Sequence, residues 1–363
     1  MSGVNENVLM PASIRMLYDG MTIHDDVYDA DSDRLLVRAG NVLNIDQIER
    51  IQRLNGGRDT IYVTGRTHKT MVSKRPNIDI DSIKEVEENT GYVEFQETTS
   101  KMLEGITDKK DINKEELNTA ATDISDRVVS TPPDVVMSLI NSMAPVDEYL
   151  QRHSVNVGML NGLIAKWLGL DKEQIDKLAL IGMLHDCGNT FMPPSVLTAP
   201  RKLTIAEFEI IKMHTVHTHE LLASFPEDIR IAASSHHERV DGSGYPKSLF
   251  GGNISLEARI TAVSDTYDAM VSKRPYRQPN SPFHVLAALL TYSPAKYDSD
   301  IVNVLKENMP NELVNKPVTM SDGTIGIVRE IDPEDIEFPK VELSKRVVKT
   351  STALYCVSMY TDD

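Results

Sequence analysis

The stretch HHERVDGSGYP, residues 236–246, decides how this chain is interpreted, because it joins two adjacent histidines to a glycine-rich loop that ends in Tyr-Pro. One interpretation is a buried, hydrogen-bonded histidine pair followed by a surface loop. The other is a pair of metal ligands followed by a substrate-binding loop. The stretch alone does not distinguish them, so the rest of the chain has to.

Composition and charge exclude several classes of protein. The chain has 363 residues, enough for about two or three domains. Its net charge of −16 argues against nucleic acid or an anionic membrane as the main partner, because such partners need a concentrated basic face. Two cysteines, Cys187 and Cys356, fit a reducing cytoplasm. Since no apolar run approaches the ~18 residues of a spanning helix and the first residues lack the order of a signal peptide, we expect a cytoplasmic protein.

Local patterns predict a mainly α protein in four segments. Residues 1–66 mix strand and helix patterns and predict a small α/β accessory module. Residues 67–132 are charged and predict a helical linker or dimerisation arm. Residues 133–310 show helical spacing of apolar residues, and residues 311–363 predict a small β appendage around an Asp-Gly turn. N-cap side chains mark the predicted starts of three helices in the third segment, at Asp171, Thr204 and Ser255.

Seven of the ten histidines lie between positions 153 and 237. His153 shares a helix face with Leu150 and Val157, so it points inward. A single inward histidine is more often a hydrogen-bonded core residue than a ligand. The pair His185 and Asp186 ends the next helix, where it either chelates an ion or places a histidine at the negative end of the helix dipole.

The remaining candidates lie on later helices. Of three closely spaced histidines we expect His214 to face the interior, with His217 and His219 near the surface. Asp265 and Asp268 are one helical turn apart among apolar residues, and buried carboxylates need a partner charge. One metal cluster accounts for seven of these positions together: His153, His185, Asp186, His214, His236, His237 and Asp265. Mixed nitrogen and oxygen ligands of this kind suit first-row ions such as Fe or Mn.

Taken in order, five motifs resemble the HD-GYP proteins, a subfamily of the HD hydrolases that degrade the bacterial second messenger cyclic di-GMP. They are DEYLQRHS, HDCGN, KMHTVHTHELL, HHERVDGSGYP and RITAVSDTYDAMVSKRPYR, between about residues 136 and 310. The resemblance implies a helical HD-type bundle as the catalytic domain. It implies hydrolysis of cyclic di-GMP to linear pGpG and, after a second cut, GMP. It also implies contacts of the GYP loop, residues 241–246, with GGDEF-domain proteins, and the charged arm suggests a homodimer.

The resemblance further implies two divalent ions, Fe or Mn. One would be held by His153, His185, Asp186 and Asp265. The second would be held by His214, His236 and His237, with Asp186 bridging. A third ion is not expected, since Tyr149 stands where members with three metals have a glutamate. Catalytic roles fall on His185, Asp186 and Asn189. The substrate would be met by Tyr245, Asp268, Asn189, Arg274 and Arg277, the arginines at phosphates.

Two positions depart from the family pattern. Asn189 replaces the lysine of the usual HDIGK motif, which removes a cation expected at the substrate phosphate. Thr218 stands where a glycine is usual. We expect an active enzyme that is slower or differently selective. The alternatives are an adaptor that binds cyclic di-GMP or a GGDEF partner without hydrolysis, and a phosphodiesterase for another cyclic dinucleotide.

Overall fold

The computed structural model describes residues 9–13, 22–23, 26–28, 35–43, 47, 51, 60–64, 92–107, 113–141, 149–199, 201, 203–272, 280–292 and 295–359. The chain divides into two compact units. One comprises residues 1–75, 320–324 and 350–355, and the other comprises residues 76–319, 325–349 and 356–363.

The first unit contains short strands. They are β1 (Leu9–Ser13), β2 (Thr22–Ile23), β3 (Val27–Tyr28), β4 (Leu35–Val37) and β5 (Thr60–Thr64). Strands β1, β5 and β2 form one antiparallel sheet in that order, and β3 pairs with β4. The predicted strand before Gly40 is therefore present, and Gly40 takes a φ of +86° that favours glycine. Most of the helix predicted after it lies outside the described residues.

The second unit is built mainly from helices. Those described are α1 (Tyr92–Thr107), α2 (Lys114–Ser130), α3 (Pro133–Ile140), α4 (Tyr149–Trp167), α5 (Lys172–Leu184), α6 (Pro194–Leu197), α7 (Ile205–Leu221), α8 (Glu227–Ser234), α9 (Leu256–Val271), α10 (Pro282–Ala287) and α11 (Ser299–Leu313). The prediction of a mainly α protein with a helical bundle is confirmed. Among the residues the structure describes, no helix is long and apolar enough to cross a membrane.

The helix starts follow the predicted local chemistry. Asp171 and Thr204 each form a capping box, in which the side chain accepts from the backbone N–H three residues later and that residue's side chain accepts in return. Ser255 caps α9 by accepting from the backbone N–H of Ala258. These caps fix where α5, α7 and α9 begin.

Helix α4 lies at the centre of the bundle and packs against α1, α2, α5 and α9. Its closest neighbour is α5, because two glycines meet at the crossing. A Cβ atom added to Gly182 would lie 2.5 Å from the Cα and N atoms of Gly158. The two backbones are thus in direct contact, and this contact sets the distance between His153 on α4 and His185 after α5.

The C-terminal strands form a sheet in the order β10-β6-β7-β8-β9, where β6 is Pro317–Met320, β7 Ile325–Glu330, β8 Lys340–Leu343, β9 Arg346–Lys349 and β10 Cys356–Met359. The β6–β7 turn contains the predicted Asp-Gly pair. Asp322 accepts a hydrogen bond from the backbone N–H of Thr324 at 2.9 Å, and Gly323 has a φ of +80°. The predicted β appendage is confirmed, while the four segment boundaries stay predictions.

The glycine contact between α4 and α5 leads to a stability prediction. We expect Gly182→Ala to lower the free energy of unfolding by about 1–3 kcal/mol, because its methyl group has no room against the α4 backbone. Gly162→Ala is the matched control on α4. Its Cβ would meet side-chain atoms no closer than 3.6 Å, so we expect no loss and a gain of up to about 1 kcal/mol. Urea denaturation followed by circular dichroism measures both, and equal stability of the two variants would contradict the packing argument.

Candidate metal centre

The structure brings all seven predicted ligand positions into one cluster, although they lie on separate elements. His153 comes from α4, His185 and Asp186 from the end of α5, His214 from α7 and Asp265 from α9. His236 and His237 lie in the turn after α8. Candidate ligand atoms within 4.8 Å of one another form two groups, one of His153, His185 and Asp265, and one of Asp186, His214, His236 and His237.

Asp186 lies between the two groups and turns one oxygen to each. Its Oδ2 atom is 3.7 Å from Nε2 of His153 and 3.6 Å from Nε2 of His185. Its Oδ1 atom is 3.4 Å from Nε2 of His214 and 3.6 Å from Nε2 of His236. A carboxylate in this position can serve two ions at once.

Hydrogen bonds on the far side of the rings fix the tautomer of three histidines. Each donates its Nδ1–H to the carbonyl oxygen three residues earlier, at 2.7, 2.6 and 2.7 Å for the pairs His185–Gly182, His214–Ile211 and His236–Ala233. With the proton on Nδ1, each Nε2 lone pair points into the cluster. The Nε2 atoms of His214 and His236 face each other there at 3.4 Å.

Burial and charge favour the protonation states that bind metal. Burial lowers the pKa of His185 and holds the pKa values of His236 and His237 well below the usual range. Burial acts to raise the pKa of Asp186, but the neighbouring histidines, His185 foremost, bring it down to about 2. Burial acts to raise the pKa of Asp265 as well, but the neighbouring imidazoles, His153 foremost, hold it well below its usual range. Neutral imidazoles and ionised carboxylates are the forms that ligate cations.

This donor set fits divalent metal ions. Imidazole nitrogens and carboxylate oxygens in one site suit first-row transition ions. The cluster also has an open side. His185 and His236 are fully buried, whereas the side chains of Asp186 and His237 are 17% and 21% exposed. A substrate would therefore approach over Asp186 and His237.

Asp268 corrects one sequence-based expectation. It was expected to meet the nucleotide, but it is fully buried behind the cluster. Its Oδ2 atom accepts a hydrogen bond from Nδ1 of His153 at 2.6 Å, and its Oδ1 atom accepts from the amide of Asn156 at 2.7 Å. Ser272 donates a further hydrogen bond at 3.3 Å. The carboxylate thus orients His153 and is out of reach of a substrate.

The GYP loop folds back on the histidine pair. The buried carboxylate of Glu238 accepts backbone hydrogen bonds from Lys247 at 2.7 Å and Leu249 at 2.8 Å. Gly244 lies so close to this segment that a Cβ atom there would be 2.5 Å from the Cα atom of Glu238. As a result the ring of Tyr245 lies beside His237, with centroids 4.6 Å apart. Tyr245 therefore borders the open side of the cluster, and its contact with the substrate stays a prediction.

The other predicted substrate residues are only partly described. Asn189 lies half-buried in a 3-10 turn, Cys187–Phe191, and its backbone N–H donates to the carbonyl of Asp186 at 2.9 Å. Arg274 and Arg277 lie outside the described residues. Their expected contact with phosphates stays a prediction.

Thr218 links α7 to the His-Asp turn. Its hydroxyl donates to the carbonyl of His185 at 3.1 Å and accepts from the backbone N–H of Gly188 at 3.0 Å. A Cβ atom on Gly188 would lie 2.0 Å from the carbonyl oxygen of His214, so only glycine fits at this contact. The threonine that departs from the family pattern therefore adds hydrogen bonds at the contact that brings His185 and His214 together.

Two residues that lie beside Tyr245, Lys212 and Phe208, were not predicted from the sequence. The ammonium of Lys212 lies 5.0 Å from the ring centroid of Phe208 and 5.7 Å from that of Tyr245. Phe208 is 44% exposed and also contacts Tyr245 edge to face, at 6.0 Å. Glu209, an exposed carboxylate, pairs with Lys212 at 2.6 Å. The available signal was spacing, since positions 208 and 212 lie one turn apart on the helix that carries the inward histidine.

Comparison with known proteins identifies the domain that carries the cluster. Residues 134–301 match the family model described as an HD domain. A cyclic di-GMP phosphodiesterase response regulator of Xanthomonas campestris is 40% identical over 148 residues, 40% of this chain and 39% of that protein. A cyclic di-GMP phosphodiesterase of Pseudomonas aeruginosa is 30% identical over 229 residues, 61% of this chain and 55% of that protein. The cluster thus lies within a segment that matches an HD domain, and the resemblance to HD-GYP proteins is confirmed.

Two further likenesses bear on substrate and fold. A 3'3'-cGAMP-specific phosphodiesterase of Vibrio cholerae is 33% identical over 177 residues, 48% of this chain and 41% of that protein. The chain thus spans between about two fifths and just over half of the length of these relatives. A solved structure described as an HDG"Y"P protein from Bdellovibrio bacteriovorus has a TM-score of 0.51 and 14% identity, covering 83% of this chain and 99% of that one. At that identity the likeness concerns the fold.

The cluster predicts that one of two neighbouring histidines controls metal content. We expect His214→Ala to lose most of the metal held by the group around Asp186, because it removes an inward Nε2 ligand. His217→Ala, on the same helix but one third exposed, is the matched control and should keep the wild-type content. Elemental analysis of protein reloaded with Mn²⁺ and dialysed measures both. Equal metal content in the two variants would contradict the ligand assignment.

Proposed function

We propose that this protein hydrolyses a phosphodiester bond of cyclic di-GMP, using two divalent ions, Fe or Mn, held by the seven clustered side chains. The observation that carries the proposal is the position of Asp186, which turns one oxygen to each of two imidazole groups. The names of the relatives from Xanthomonas and Pseudomonas support the substrate. The products would be pGpG and, after a second cut, GMP.

The chemistry divides between the ions and the chain. When bound, a pair of divalent ions supplies a water of lowered pKa and neutralises charge that develops on the phosphate. The chain holds the site rigid, since backbone carbonyls, Asp268 and Thr218 fix the rings or the turn that carries them. Tyr245 and Phe208 would present aromatic surface to a nucleobase. The ammonium group of Lys212, which lies over both rings, would pair with the phosphates. The side-chain amide of Asn189, three residues after Asp186, would offer an N–H donor to the substrate.

Cyclic GMP–AMP is a second candidate substrate. The likeness to a 3'3'-cGAMP-specific phosphodiesterase of Vibrio cholerae favours it, and it shares the phosphodiester ring of cyclic di-GMP. The two nucleotides differ in one base, so the contacts to that base decide between them. Contacts with GGDEF-domain proteins, a homodimer and the non-hydrolysing adaptor stay predictions.

The central test is hydrolysis by a variant without the shared carboxylate. We expect Asp186→Ala to lose detectable hydrolysis of both cyclic dinucleotides. Both groups of candidate metal ligands would lose the carboxylate that they share. Glu173→Ala, an exposed carboxylate on α5, is the control and should match the wild type. Chromatography of each nucleotide after incubation with protein and Mn²⁺ or, under anaerobic conditions, Fe²⁺ gives the answer. Wild-type protein that binds the nucleotide and leaves it intact under these conditions is an adaptor.

Lys212 gives a test of the substrate side. We expect Lys212→Ala to raise KM for the cyclic dinucleotide about tenfold and to change kcat less, the size expected for one lost charge-assisted contact. Lys172→Ala removes a surface lysine that pairs with Asp126 and Asp176, and should leave KM unchanged. Steady-state kinetics at two salt concentrations measures both. An unchanged KM in Lys212→Ala would remove this residue from the substrate site.

A further inference from the structure

We propose that helix α1, which precedes the HD domain, is a working part of the metal centre. Tyr92 on α1 and Asn156 on α4 act as positioning residues for His153, through Asp268. The inference rests on the proposed metal site, since its subject is how one ligand of that site is held. It assigns a role in the site to a helix outside residues 134–301, the span that matches the HD domain.

His153 is held differently from three of the other histidines. The rings of His185, His214 and His236 donate to neutral backbone carbonyls of their own segment. His153 instead donates to the carboxylate of Asp268, which is distant in the chain. A carboxylate partner fixes the ring and makes its other nitrogen a stronger donor to a metal. The orientation of His153 therefore depends on the placement of Asp268.

Asn156 fixes the second oxygen of that carboxylate. Its Nδ2 atom donates to Oδ1 of Asp268 at 2.7 Å, and the residue is almost fully buried. An amide can be turned so that its oxygen and nitrogen exchange places. In the turned state a carbonyl oxygen would face a carboxylate oxygen, and the repulsion would push Asp268 away from His153. The amide must therefore be held in one orientation.

Tyr92 provides that hold. Its hydroxyl donates to Oδ1 of Asn156 at 2.5 Å, so the amide oxygen has a proton donor only in the observed orientation. The tyrosine is fully buried, and the guanidinium of Arg152 lies over its ring at 4.8 Å. Phe95 and Thr99, one and two turns later, are buried on the same face of α1. These buried side chains pack α1 against α4, and this packing places the Tyr92 hydroxyl beside Asn156.

These contacts form a continuous path from α1 to the cluster. The path runs through α1, α4 and α9 and ends at Nε2 of His153, 3.3 Å from Oδ1 of Asp265. Each member is buried, so water does not replace a lost partner easily. Loss of the Tyr92 hydroxyl would therefore act on the proposed ligand His153 through Asn156 and Asp268.

The test uses two tyrosines with the same chemistry and different neighbours. Tyr92→Phe removes the hydroxyl that holds Asn156. Tyr267→Phe removes an equally buried hydroxyl, which donates to the amide oxygen of Asn141 at 3.1 Å. In the full chain, stripped and titrated with Co²⁺, we expect Tyr92→Phe to weaken the binding of one of two ions about tenfold and to change its visible absorption spectrum. Tyr267→Phe should keep the wild-type affinity and spectrum.

The outcomes separate this inference from the proposed function. Thermal unfolding of both variants checks that any difference does not reflect general loss of structure. If Tyr92→Phe unfolds more readily than Tyr267→Phe, Asp268→Asn is the second variant, and it should show the same selective loss because its amide no longer accepts from His153 with a full charge. Wild-type metal binding in Tyr92→Phe, or in Asp268→Asn, would overturn the inference and leave the metal site standing. A wild-type chain that takes up no Co²⁺ or Mn²⁺ would overturn both.

Discussion

Imidazole lone pairs that face one another in a buried volume repel unless a positive charge lies between them, and the helical bundle is arranged around this constraint. The Nε2 atoms of His153 and His185 are 3.3 Å apart, and those of His214 and His236 are 3.4 Å apart. Because the Nδ1 atoms are committed as donors elsewhere, the facing nitrogens remain acceptors. A divalent cation would supply the missing charge, and the carboxylates of the cluster would complete its ligands.

Much of this arrangement could be predicted from the sequence because its signals are local. Side chains at Asp171 and Thr204 marked helix starts, and residue type together with order along the chain selected the seven clustered positions. Helical spacing was less informative for Asp265 and Asp268. It correctly put both on one face of α9, but it could not show that they meet opposite nitrogens of the same ring, Nε2 and Nδ1 of His153.

The residues that sequence reasoning missed are defined by tertiary contacts. Tyr92 lies in a segment predicted to be a linker or dimerisation arm, and its hydrogen-bond partner Asn156 is 64 residues later. Asn156 in turn bonds a carboxylate 112 residues further on. In the sequence, Lys212 and Phe208 resemble ordinary surface positions. Only the fold of the GYP loop shows that Tyr245 contacts both of them. No periodic pattern reports contacts of this kind, since they depend on how helices from distant parts of the chain pack.

The backbone contact between Gly158 and Gly182 has a consequence for how this protein tolerates change. Helices separated by side chains shift by fractions of an ångström when a core residue gains or loses a methyl group, whereas helices that touch through their main chains have no such adjustable layer. Repacking of side chains elsewhere in the interior therefore has little effect on the distance between His153 and His185. Core residues of the bundle can therefore change during evolution while the distance between His153 and His185 stays constant.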